Sequence, residues 1–69
     1  MISASVHSLE VVCSFARDTR KLDRIAQETG CKSEGARKAR IAGKPCYLVR
    51  VESRGLDSLR AFMLRIGAL

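Results

Sequence analysis

Four side chains of this sequence could serve as nucleophile, base or soft metal ligand: His7, Cys13, Cys31 and Cys46. A Cys–His dyad requires the thiol within hydrogen-bond reach of the imidazole. His7 and Cys13 fall on one side of an alternating run, and six residues at strand rise hold them about 20 Å apart. No dyad forms along that strand, and an inward-facing histidine reads as a structural one. The three cysteines are widely spaced and include no C-x-x-C pair, which argues against a clustered metal or redox site. They read as structural thiols of a reducing compartment. Gly30, Gly35 and Gly43 stand alone, and none follows a strand to open a helix, so no phosphate loop is present. The carboxylates are scattered among basic residues, as ion-pair partners would be, rather than paired as acid and base. No catalytic, cofactor-binding or metal-ligating residue is expected, and the chain is not expected to be an enzyme.

The remaining chemistry is electrostatic. Thirteen Lys and Arg against seven Asp and Glu give a net charge of +6. Between residues 31 and 54, Lys32, Arg37, Lys38, Arg40, Lys44, Arg50 and Arg54 outnumber Glu34 and Glu52. Arginine predominates, which suits bidentate contact with phosphate or carboxylate. Arg37, Lys38, Arg40 and Arg50 form the candidate nucleic-acid face. Aromatics for base stacking are absent from it, so contact would be to phosphate and weakly sequence-selective. A solubilising face and a surface for an acidic protein are the competing readings.

These residues need elements to hold them. Val6 to Phe15 alternates, with His7, Leu9, Val11, Cys13 and Phe15 inward and Ser8, Glu10 and Ser14 outward, as in a half-buried strand. Asp18 and Thr19 offer an N-cap for a short amphipathic helix, Thr19 to Thr29, ended by Gly30. Its outer residues Arg20, Asp23, Arg24, Gln27 and Glu28, with Arg24 and Glu28 at helical pairing distance, read as a solvated face. After a polar connection, "ARKARIAGKPCYLVRVES" reads as a hairpin. A two-residue Gly-Lys turn would mix charge into both faces. A turn over Gly43 to Pro45 would instead pair Ile41 with Tyr47 and Ala39 with Val49, and would gather Lys38, Arg40, Leu48 and Arg50 on the other face. The second register is therefore expected. A C-terminal helix follows.

The predicted fold class is α+β: strand-helix-strand-strand-helix, a three-stranded antiparallel sheet with the third strand central and both helices on one face. The other face would carry Lys38, Arg40 and Arg50 with Ser8, Glu10 and Glu52. A chain of 69 residues forms one domain, 1–69, and so small a core rarely supplies more than about 3 to 5 kcal/mol, which favours a partner. The 46% hydrophobic content argues against disorder. No window reaches a membrane span and no leader pattern opens the chain, so a soluble, cytoplasmic protein is expected.

In the last helix Leu56, Leu59, Phe62, Met63, Ile66 and Leu69 form one broad stripe, wide enough to pack on a sheet, while Leu64 falls between Arg60 and Asp57. Leu56, Leu59, Arg60, Phe62, Met63, Leu64 and Ile66 are the candidate subunit interface. The run "RKARIAGKPCYLVRVESRGLDSLRAFMLRI" resembles the small dimerisation subunit of the KEOPS (EKC) complex. The likeness rests on Leu56, Leu59, Arg60 and Ala61 in the helix and on Arg37, Ile41, Gly43, Val49 and Val51 in the strands. It implies a module that dimerises, with itself or with a related small subunit, and bridges copies of the catalytic subunit. That assembly makes threonylcarbamoyladenosine in tRNAs reading ANN codons, and the resemblance implies assembly and tRNA contact, not catalysis, for the small subunit. Leu64 and Arg65 stand where the family commonly has an Asn-Ser pair, so a paralogue that pairs with the standard subunit is the companion reading. The alternative from another class is a free-standing RNA- or DNA-binding module.

Overall fold

In the computed structural model, which describes residues 6–68, the elements run β1 (His7–Cys13), α1 (Ala16–Glu28), β2 (Lys32–Ile41), β3 (Lys44–Ser53) and α2 (Leu56–Arg65). The sheet order is β1-β3-β2, with both pairings antiparallel. The α+β architecture therefore stands as the alternation and the crossover logic require. Val49 and Val51 of the central strand, Leu22 and Ala26 of α1, and Leu59 and Phe62 of α2 share one buried cluster, so both helices cover the same face. His7, Leu9, Val11 and Cys13 point toward it, half-buried or buried. Leu69 of the expected stripe lies outside the described residues.

Both helices end through backbone geometry. Gly30 and Gly67 have positive φ, and each sits in a pair of bonds from the residues just past the helix. Gly30 N–H donates to the Gln27 carbonyl and Cys31 N–H to that of Ala26, at 2.7 Å for the second. Gly67 and Ala68 repeat the pattern on Leu64 and Met63. These are Schellman ends, in which a left-handed glycine lets orphan carbonyls find donors. The N-termini differ from expectation. α1 begins at Ala16 with Phe15 at the cap and no side-chain cap bond, so Asp18 and Thr19 lie in the first turn. Thr19 Oγ1 instead donates back to the Ala16 carbonyl at 2.6 Å. Because β1 ends at Cys13, Phe15 has left the strand and is 57% exposed, not inward.

The hairpin also corrects the expected register. Its turn is Ala42–Gly43, both at positive φ (52° and 78°), and Ile41 faces Lys44. Two successive left-handed residues make a type I′ turn, whose twist matches that of the strands. Neither the Gly43–Pro45 turn nor a Gly-Lys turn forms. The pair closing a two-residue turn exchanges both hydrogen bonds, so the next pair, Arg40–Pro45, is a non-bonded one. Pro45 therefore lacks no bond to β2, and β1 pairing has already ended at Cys13–Tyr47.

A second irregularity lies upstream. Ser33 faces Val51 and Ala36 faces Val49, so two residues of β2, Glu34 and Gly35, oppose the single Arg50. This is a β-bulge, with Gly35 left-handed at φ 53°. An L-residue pays roughly 1 kcal/mol to sit where Ala42 sits, and Asn-Gly is the preferred I′ pair. Ala42→Asn is expected to stabilise the fold by about 1 kcal/mol, raising the melting temperature by roughly 4 to 8 °C. A thermal melt that is unchanged or lower would contradict the I′ assignment.

Candidate interaction surfaces

The register decides where each basic residue stands. Arg37 faces Leu48, and Ala39 faces Cys46, whereas Lys38 faces Tyr47 and Arg40 faces Pro45. Tyr47 and Val49 lie on the helix-covered side, so Lys38 and Arg40 project to that side too. Arg37 and Arg50 remain on the uncovered face, with Ser8, Glu10 and Glu52. The expected cluster of Arg37, Lys38, Arg40 and Arg50 is thus split between the two sides of the sheet. The cause is the two-residue Ala42–Gly43 turn, which fixes the pairing from Ile41–Lys44 back to Ala36–Val49; with side chains alternating along the strand, Arg37 falls on one side and Lys38 and Arg40 on the other. The bulge at Glu34–Gly35 reverses the sides of Lys32 and Ser33 only.

On the uncovered face the charges are internally matched. Arg37 Nη2 lies 3.3 Å from Glu10 Oε2, and Arg50 Nε lies 3.6 Å from Glu52 Oε1. The first pair is exposed and the second partly so, with Glu52 half-buried, and the contribution of each is small, at most about 1 kcal/mol. They occupy one end of the face. Toward the hairpin the same face gathers apolar side chains, with Arg37 beside Leu48 and Lys44 beside Ile41 at their margin. Val12 is 55% exposed and Ile41 48% exposed, beside half-buried Leu48 and buried Cys46. Val12 and Leu48 are direct cross-strand partners.

The residues expected at a subunit interface on α2 also divide. Leu59 and Phe62 are buried in the protomer's own core, with Met63 and Ile66 packed against it, so these four are spent on the fold. Leu56, Arg60 and Leu64, at successive i, i+4 positions, stay exposed in one row. That row points away from α1, which lies on the side where Arg65 Nη2 reaches Glu28 Oε1 at 2.6 Å. Glu28 pairs with Arg65 across the helices rather than with Arg24.

The cysteines are all free and buried. Cys31 Sγ donates to the Ser58 carbonyl at 3.3 Å and ties the start of β2 to α2. Burial, then the neighbouring Asp18 carboxylate, pushes the Cys13 thiol pKa up. Since the thiolate is the reactive form, Cys13 is expected to alkylate far more slowly in the folded than in the unfolded chain at neutral pH. Peptide mapping after a timed iodoacetamide pulse reads this directly, and equal rates would contradict it. Among the described residues no group of three His, Cys, Asp or Glu is placed to hold a metal ion. No helix among them is long and apolar enough to cross a membrane.

What these features define is a split strand-helix-strand-strand-helix module with one sheet face uncovered and one exposed row on its last helix. No protein family, curated protein or solved structure matches the chain.

Proposed function

We propose that this chain is a noncatalytic dimerisation and assembly subunit of a KEOPS-like complex that makes threonylcarbamoyladenosine in tRNA, acting in the cytoplasm. The observation that carries the reading is the apolar half of the uncovered sheet face. Val12, Leu48, Ile41, Ala39 and Cys46 form an apolar surface on a chain whose own core is small. Two antiparallel sheets pack face to face about 10 Å apart, with side chains interleaved. A two-fold axis through the face brings the same patch against itself, as an isologous dimer requires. The ion-paired end carries both signs, Arg37 with Glu10 and Arg50 with Glu52, while Lys32 opposite Glu52 and Lys44 opposite Ile41 add positive charge to the same face.

In this reading the sheet face joins the small subunits, and the exposed row Leu56, Arg60 and Leu64 on α2 takes the catalytic subunit. Each protomer of the dimer then offers one such row, which is how one dimer bridges two larger partners. The free-standing RNA- or DNA-binding module was expected on a joint Arg37, Lys38, Arg40 and Arg50 face, and the strand register separates those residues. Sedimentation velocity of the purified chain at tens of micromolar, alone and with a candidate catalytic subunit, tests the assignment. A dimer that shifts to a larger species supports it. A strictly monomeric chain that binds neither a related small subunit nor the catalytic subunit refutes it.

A further inference from the structure

Among the described residues, ten of the cations lie outside the three ion pairs, and five of those ten stand along one flank. Arg17, Arg20 and Arg24 recur at spacings of three and four along α1, opposite the buried Leu22 and Ala26. Ser33 Oγ donates to Asp23 Oδ1, which lays α1 alongside β2, and Glu28, four residues beyond Arg24, is engaged by Arg65. Further along β2, the register set by the Ala42–Gly43 turn puts Lys38 and Arg40 on the same side as α1. Lys38 shares a cleft with Ser14, two residues before α1 begins. Among the described residues none of these five cations has a carboxylate within salt-bridge distance.

We propose that the flank formed by the outer row of α1 and the hairpin end of β2, with Arg17, Arg20, Arg24, Lys38 and Arg40, binds the phosphate backbone of a double-helical nucleic acid. The three arginines of α1 span about 10 Å, the length occupied by about three successive phosphates of one strand at 3.4 Å rise. Arginine forks engage phosphate oxygens in pairs, and four of the five cations are arginine. The flank has a single exposed aromatic, Phe15, whose ring is covered by Arg17 at 5.1 Å. It therefore lacks the stacking platform that reading single-stranded bases requires. It also lacks the buried apolar centre that a docked acidic protein would use. The proposal stands apart from the assembly reading, since none of the five residues lies on the uncovered sheet face or in the α2 row.

Fluorescence anisotropy of the full chain with a 20-base-pair RNA stem and a DNA duplex of the same sequence tests this between 50 and 200 mM salt. Neutralising about five phosphates predicts a log–log salt slope near −4, an affinity loss of about 100- to 500-fold over that range. Similar affinity for both duplexes marks the backbone alone as the ligand, and a preference for RNA marks the A-form helix. Either result supports the surface. Arg20→Gln with Lys38→Gln is expected to lower affinity at least about tenfold and to reduce the slope by about 2. Arg37→Gln with Arg50→Gln removes the same charge from the uncovered face and is expected to change affinity by less than about threefold. Absence of binding at 50 mM salt, equal losses in the two double variants, or equally tight binding of polyglutamate would each overturn the proposal. Melting curves of both variants check that they fold, and sedimentation without nucleic acid reads the dimer separately.

Discussion

Phe62→Ala is expected to leave most of the chain unfolded at 37 °C. Phe62 is fully buried and sits with Val49, Val51, Leu22, Ala26 and Leu59 in the one cluster that joins the sheet to both helices. Truncating a buried phenylalanine costs about 3 to 5 kcal/mol, from lost transfer energy and from the cavity left behind. A single core in a domain of this size supplies about the same amount, so one substitution consumes it. Leu64→Ala, on the same helix but 60% exposed, is expected to shift stability by less than about 0.5 kcal/mol. Far-ultraviolet circular dichroism and thermal melting distinguish the two. If Phe62→Ala melts within a few degrees of Leu64→Ala, the packing of α2 on the sheet is wrong. The contrast also separates residues that build the protomer from those left for partners.

In the proposed sheet-face dimer, Val12→Asp is expected to abolish self-association while leaving the fold intact. Val12 lies on the uncovered face opposite Leu48 and is more than half exposed in the protomer, so the substitution deletes little of its core. In an isologous dimer the same change buries two carboxylates in an apolar interface, and each pays a desolvation penalty of several kcal/mol. A loss of at least about 100-fold in self-association follows, since 1.4 kcal/mol is a factor of ten. Leu64→Asp is the paired test. It is expected to leave the dimer unchanged and to weaken capture by the catalytic subunit. Sedimentation velocity reads the first effect and co-purification the second. If Leu64→Asp dissociates the dimer and Val12→Asp does not, the dimer uses α2 and the assigned roles of the two surfaces are exchanged.

The consequences for charge run in parallel. Sequence position places Arg37, Lys38, Arg40 and Arg50 close together, and a single basic face is the natural expectation. The register sends Lys38 and Arg40 to one side and leaves Arg37 and Arg50 on the other, where each already has a carboxylate partner. The unpaired cations of α1, legible as an ordinary solvated face, gain two neighbours from β2 by this change. The two-residue turn thus moves Lys38 and Arg40 from the expected sheet face to the side of α1.

Periodicity was enough to specify the element order and types, and the right-handed crossover rule then gave the central position of the third strand and the placement of both helices on one face. Alternation in β1, the stripe through Leu59, Phe62 and Ile66, and the glycines after each helix act locally and agree with one another. Local signals also showed the absence of clustered nucleophiles and ligands in the sequence. The hairpin register, the side taken by Lys38 and Arg40, and the division of α2 between core and exposed row were decided only in three dimensions. The physical reason is that strand faces alternate with a period of two, so the placement of the two-residue Ala42–Gly43 turn decides the side of every residue from Ala36 to Ile41, and the extra residue at Glu34–Gly35 reverses Lys32 and Ser33. Composition and spacing carry the helices with an error of up to three residues, but a sheet face depends on parity, and parity depends on the backbone conformation at the Ala42–Gly43 turn and at Gly35.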